Sequence, residues 1–331
     1  MQRLFKHHET YVFIIIIVFS IVITAVNRNF LTLENFFDIA KSYSFIGIFA
    51  VGVTFVLISG GIDISFTAVA TVAEYVMAVY IIKFGGNIIT ASIIVIIVGI
   101  TLGMINALLI YFFKIPTIIT TIATLNIYYG LLIVISGGKW IYSLPQWFRD
   151  FATINLFTVS KAGGSSYGLS IITTLWIVLI FLSWLILKYT RLGRGIYAMG
   201  GNMNSAKRIG FNIFGIQMFV YSFMGVMAGL AGLVQALLVQ TVAPNSIVGK
   251  ELDVIAAVVL GGASLLGGRG TLLGTVLGVA LIAIMGNGLT LMRVSSYWYN
   301  IFIGLIIIIS VSFSAYQQRK KQKRTINVHD Q

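Results

Sequence analysis

The chain alternates long apolar runs with short polar interruptions. Ten apolar segments stand out, at 11–26, 44–59, 66–83, 88–113, 117–136, 169–189, 214–240, 252–263, 271–292 and 297–315. Backbone polar groups in hydrocarbon must be bonded within their own segment, and no run alternates in the manner of a barrel strand, so the pattern predicts helices. A crossing needs roughly 20 mostly apolar residues. Segment 252–263 is short for that, and reads as a broken or re-entrant helix buried among the others. The predicted fold is all-α: one polytopic membrane helix bundle over residues 1–331, with about ten transmembrane helices.

The interruptions set the orientation. Residues 190–213 hold Arg191, Arg194, Lys207 and Arg208 among glycines, and the C-terminal tail carries Arg319, Lys320, Lys321, Lys323 and Arg324. Basic loops and tails stay on the cytoplasmic side. With an even number of spans both termini lie inside, which leaves 137–168 as the largest outer loop. Its Trp140 and Trp147 read either as anchors at headgroup level or as part of a landing surface for an external partner. The N-terminus is basic and then apolar, as in a signal peptide, but Asn27-Arg28-Asn29-Phe30 offers no small-x-small cleavage site. It reads as a retained first span.

Composition narrows the classes. The protein is 58% hydrophobic and 9% charged, against about 25% charged in a soluble chain. The net charge of +13 therefore points to anionic lipid rather than nucleic acid. There is no cysteine, and the only histidines are His7, His8 and His329, outside the apolar segments. Cys-ligated metals, His-ligated metals and a histidine base inside the bundle are thereby excluded. No nucleotide-binding P-loop, nucleophile elbow or zinc-protease motif is present. The expectation is a membrane protein that is not an enzyme, with no cofactor and no metal.

A few polar residues fall at membrane depth. Asp63, after Gly60-Gly61 and before Ser65, reads as a helix end, a glycine turn and a cap on the next helix. Glu74 lies mid-segment without a nearby basic partner, either as a pathway residue or as a buried group holding two helices together. Asp253 and Glu251 open segment eight, where carboxylates suit a helix N-terminus. Glycines at four-residue spacing (Gly99/Gly103, Gly225/Gly229, Gly274/Gly278) predict helices in close contact. A second glycine pair, Gly261-Gly262, echoes Gly60-Gly61 too weakly to define a repeat.

Four stretches together resemble the permease subunits of ribose-type ATP-binding-cassette importers: AVGVTFVLISGGIDIS (50–65), KIPTIITTIATLNIYYGL (114–131), GRGIYAMGGNMNSAKRIG (193–210) and ELDVIAAVVLGGASLLGGRGTLLGTVLG (251–278). Their order and spacing match along nearly the whole chain. Gly137-Gly138-Lys139-Trp140-Ile141 and Ser264-Leu265-Leu266-Gly267-Gly268 are locally similar to autoinducer-2 and rhamnose permeases. Phe66-Thr67-Ala68 departs from the family's usual continuation after GGIDIS.

The resemblance implies a bacterial inner-membrane translocation subunit without chemistry of its own. Its implied partners are cytoplasmic ATPase subunits, a second permease copy or paralogue, a periplasmic or extracellular sugar-binding protein and the lipid bilayer around the permease, with no nucleic acid. The family's coupling helix carries the pattern E-A-A-x-x-x-G; Asn204, Ser205, Ala206 and Gly210 occupy its positions, with Arg194, Lys207 and Arg208 nearby. Gly210 is suited to ending that helix. Pathway candidates are neutral polar groups able to hydrogen-bond hydroxyls: Asn106, Thr117, Thr120, Thr121, Thr124 and Asn126, beside Glu74. The four threonines share one helix face, but can equally bond back to their own helix. The competing reading is a stand-alone secondary carrier, for which only Glu74 offers a titratable relay.

Overall fold

The computed structural model describes residues 8–160, 166–295, 297–305 and 308. The basic cluster at 319–324, His7 and His329 lie outside the described residues. Thirteen named α-helices follow one another: α1 His8–Val26, α2 Leu33–Ser42, α3 Ser44–Ile58, α4 Phe66–Phe84, α5 Ile88–Phe113, α6 Thr117–Ser136, α7 Gln146–Phe151, α8 Ile171–Tyr189, α9 Arg191–Gly201, α10 Met203–Arg208, α11 Ile213–Val239, α12 Glu251–Leu260 and α13 Leu272–Leu291. Residues 297–305 are helical as well.

Among the described residues each predicted apolar segment is mostly helical, the tenth over 297–305 and 308, with edges set by local chemistry. Asn87 caps α5 through its side chain, which accepts from Thr90 N, and Pro116 precedes the first residue of α6. Among the described residues seven helices are long and apolar enough to cross a membrane, namely α1, α4, α5, α6, α8, α11 and α13. An eighth crossing arises if α2 and α3, bent by 52° at Tyr43, form one broken span. The short eighth segment is α12, whose 10 residues reach only about 15 Å. The segment predicted from 169 begins instead as a strand: β1 (Asn155–Ser160) and β2 (Ser166–Ser170) form an antiparallel hairpin that joins α7 in folding the 137–168 loop. That hairpin is absent from the sequence expectation.

Helix α3 is the centre of the bundle, buried at every position from Ile46 to Ile58. Around it the glycine pairs act as predicted. A Cβ on Gly99 or Gly225 would overlap the other's carbonyl oxygen, and Gly229 sits on the Val95 carbonyl. These contacts make α5 and α11 antiparallel at backbone distance. Gly274 and Gly278 likewise press α13 against the carbonyls of Gly261 and Ala257. Helix α1 runs parallel to α13: Thr271 Oγ1 donates to Glu9 Oε1 at one end (2.9 Å), and Asn27 Nδ2 donates to Leu291 O at the other (3.1 Å).

Candidate functional site

Two helices of the bundle stop inside it. Helix α3 ends at Gly60 (φ +85°), where Gly60 N donates to Leu57 O (3.0 Å) and Gly61 N to Val56 O (3.1 Å). Helix α12 ends the same way at Gly262 (φ +95°), with Gly262 N to Val259 O (2.9 Å) and Ala263 N to Val258 O (3.2 Å). Both are left-handed glycine caps that satisfy helix-end carbonyls while turning the chain sharply. The weak GG echo of the sequence is thus a shared helix-ending geometry. Non-helical backbone follows each cap, at 59–65 and 261–271, before α4 and α13 begin.

The two breaks touch. Gly268 N donates to Ile58 O (2.9 Å), and a Cβ on Gly267 would fall 2.7 Å from Gly60 Cα. Helix α9 rests on both at once. Gly200 lies so close that a Cβ there would overlap the Ile58 carbonyl oxygen and fall 2.7 Å from Gly268 N. Tyr197 Oη donates to Gly270 O (2.8 Å). A displacement of α9 therefore pushes on backbone at both breaks, with no flexible side chain between to absorb it.

The first break is wired into α5 and α6. Thr117 Oγ1 accepts from Ile62 N (3.0 Å), and Thr121 Oγ1 accepts from Ile64 N (3.2 Å) while donating to Ile62 O (3.3 Å). Asp63 Oδ1 accepts from Ser65 N (2.7 Å) and Ser65 Oγ (2.6 Å), which closes a turn just before α4; the helix itself has no side-chain cap. The chain continues: Asn106 Nδ2 donates to Ser65 Oγ (2.7 Å), and Tyr128 Oη donates to Asn106 Oδ1 (3.3 Å). Asp63, Ser65, Asn106 and Thr121 are all buried. Each backbone group freed by unwinding is an expensive orphan in hydrocarbon; the α6 threonines and the Asp63 side chain take up three of the freed amides.

The remaining candidates disperse. Thr120 and Thr124 are buried but bond to carbonyls of their own helix, at Pro116 and Thr121. Asn126 is exposed and its amide donates to Ile122 O (2.8 Å), outside the network. Glu74 is fully buried and accepts from Ser246 Oγ, while its Oε2 has no partner among the described residues. Glu251 at the start of α12 accepts from Thr67 Oγ1 and from Gly249 N (3.1 Å). Thr67 thus ties α4 to the start of α12, and Glu74 ties α4 to the irregular 241–250 segment. That segment also pairs outward, Ile141 and Val242 exchanging two backbone hydrogen bonds (2.8 and 3.0 Å). Asp253 forms an ion pair with Lys250 at 3.5 Å in the first turn of α12.

Beyond α9 comes α10, a short helix capped by Asn202, whose side chain accepts from Ser205 N (2.9 Å). Gly210 (φ +92°) ends it, and Phe211 N donates back to Ala206 O (3.1 Å). Only Ala206 is buried; Asn204, Ser205, Lys207, Arg208 and Gly210 are exposed, as are Ile209 at 72% and Arg194 on α9. Sequence reasoning placed Ser65 at the start of α4 and missed Thr67, Tyr128, Tyr197, Gly200 and Ser246. Gly200-Gly201 and Gly267-Gly268 were visible as pairs, but nothing local says which pair meets which.

Residues 35–311 match the family model for the branched-chain amino acid transport system permease component. The autoinducer 2 import system permease protein LsrC of Yersinia pseudotuberculosis serotype O:3 (strain YPIII) is 32% identical over 283 residues, covering 86% of this chain and 78% of that protein. The LsrC protein of Yersinia pestis (strain Pestoides F) is 31% identical over the same lengths. No solved structure matches the chain. The chain belongs to the family of branched-chain amino acid transport system permease components, and is a multi-pass membrane permease of the bacterial inner membrane.

Proposed function

We propose that this permease is the translocating half of an ATP-driven importer for a monosaccharide or sugar-like solute of the ribose, rhamnose or autoinducer-2 class, and that α9–α10 is its coupling element. The observation that carries the reading is the seating of α9 on both glycine breaks through Gly200 and Tyr197. An ATPase gripping exposed α10 around Asn204, Ser205 and Ala206 would deliver its stroke to the broken helices, which switch access between two discrete packings. Lys207, Arg208 and Arg194 supply positive charge for an acidic groove edge. Names of the relatives support the solute class, and an external binding protein, an ATPase pair and a second permease copy or paralogue complete the assembly.

The topology proposed is ten spans with both termini inside. Its support is directional. Helices α1 and α13 run parallel, and α13 is antiparallel to α12 through Gly274–Gly261 and Gly278–Ala257. Strict alternation along the chain requires both relations. In this frame Glu74, Asn106 and the α6 threonines hold the shape of the pathway wall, and the exposed Asn126 amide meets solute hydroxyls. The whole of 1–331 acts as one permease domain.

The chain has no cysteine, so Ser205→Cys offers a single thiol for cross-linking. Capture of the ATPase subunit from inside the cell is expected, together with loss of uptake in Ala206→Glu at normal membrane levels. Normal transport by Ala206→Glu would remove the coupling assignment. A stand-alone carrier would instead show uptake that stops with a protonophore and ignores ATP depletion.

A further inference from the structure

We infer that the corner between α8 and α9 holds the headgroup of an anionic phospholipid of the inner leaflet, and that this lipid sets how α9 bears on the two breaks. The inference rests on the orientation proposed above, which puts the corner on the cytoplasmic side. Between residues 151 and 250 the sequence has no Asp or Glu at all. Within that stretch Lys188 closes α8 and Arg191 opens α9, both exposed.

Lys188 is held in place by aromatic rings. Its Nζ lies 4.6 Å from the Trp184 ring centre and 5.3 Å from that of Tyr189. Trp184 and Tyr189 meet edge to face at 5.3 Å, and Phe181 stacks on Trp184 at 6.0 Å. Amphipathic rings of this kind sit at headgroup level, and a cation over them is positioned rather than floppy. Above the corner, Val178, Phe181 and Leu182 continue the exposed apolar stripe of α8. A soluble anion would find two screened surface charges. A phospholipid finds the same charges together with a ready surface for its acyl chains, and the positive end of α9 adds to the attraction. Arg191 stands nine residues before Gly200 on the same helix, so a phosphate bound there restrains the lever that touches both breaks.

The test uses the full-length protein and its Lys188→Gln/Arg191→Gln variant, substitutions on exposed positions that leave the bundle packing alone. Native mass spectrometry should find wild type retaining phosphatidylglycerol over phosphatidylcholine. Each charge removed should weaken that preference about fivefold, roughly 25-fold for both. The assembled importer in vesicles should transport several times faster with phosphatidylglycerol than in pure phosphatidylcholine, and the variant should lose that stimulation while matching wild type in phosphatidylcholine. Equal lipid retention by the two proteins overturns the inference. Displacement of the lipid by millimolar inorganic phosphate would mark a soluble-anion site instead, and loss of the ATPase subunit from the variant would mark a protein contact; either also overturns it. If the importer reading itself is wrong, wild type shows no ATP-driven uptake in any lipid, an outcome separable from all of these.

Discussion

The two breaks end their helices identically and are held differently. After Gly60 the chain is bonded by Thr117, Thr121, Asn106, Ser65 and Asp63 from three directions. After Gly262 the chain closes on itself through Ser264 N to Arg269 O (3.0 Å), borrows Tyr197 and Ile58, and leaves Leu266 61% exposed. The same backbone motif therefore serves a fixed point in one place and an adjustable one in the other. A side-chain network with defined geometry resists deformation, whereas a glycine-rich turn held by a few backbone contacts can slide. If α9 moves, the second break should follow it and the first should not.

The largest effect is expected at the one residue that touches both. Gly200→Ala would force a methyl group into Ile58 O, so α9 must lift from the breaks, and uptake should fall to background with the protein still inserted. Gly201→Ala, with open space around it, should transport normally; equal behaviour of the two would erase the role given to α9. Next comes Asn106→Leu, which removes the donor to buried Ser65 Oγ, while Tyr128 keeps its bond to Leu102 O (3.2 Å); it should cost about 1–3 kcal/mol. Thermal unfolding in detergent reads that loss, and it should concentrate in the first break. The smallest expected effect is a difference. Gly60→Ala and Gly262→Ala both place a side chain at positive φ, at about 1–2 kcal/mol, and the first also crowds Gly200 Cα, at 3.3 Å, in the break that side chains hold fixed. Uptake should drop more in Gly60→Ala, and the reverse order would mean that the second break is the constrained one.

Much of this fold was legible because lipid imposes simple rules. The runs 88–113 and 117–136 match α5 and α6 residue for residue, since a cap or a proline stands at each boundary. Glycine spacing named helices that pack closely, without saying which helix each one meets. The α2–α3 bend and the β1–β2 hairpin were not legible, because both depend on what packs beside them: Phe37 of α2 lies against Phe157 and Tyr167 of the hairpin at 5.7 and 6.2 Å. The site divided along the same line. Asn106, Thr117 and Thr121 could be named from residue type and face, yet their partners are backbone amides more than fifty residues away or Ser65, which the sequence marks as a helix start and not as a partner of Asn106. Asn126, chosen by the same criterion, joins none of them. Polar character in an apolar helix identifies what must be satisfied and is silent on what satisfies it.

Helix α1 is fastened at both ends by residues made much later, Thr271 and Leu291, across sequence separations of 262 and 264. Between Glu9 and Val26 only Val12 and Ile23 are buried, Val12 beside Leu281 and Met285 and Ile23 against Gly288. At roughly 5–20 residues per second of synthesis, the first helix waits on the order of ten seconds or more in the bilayer before its berth exists. Its wide apolar perimeter is what makes that interval survivable, since lipid can stand in for the neighbour until the ninth segment arrives.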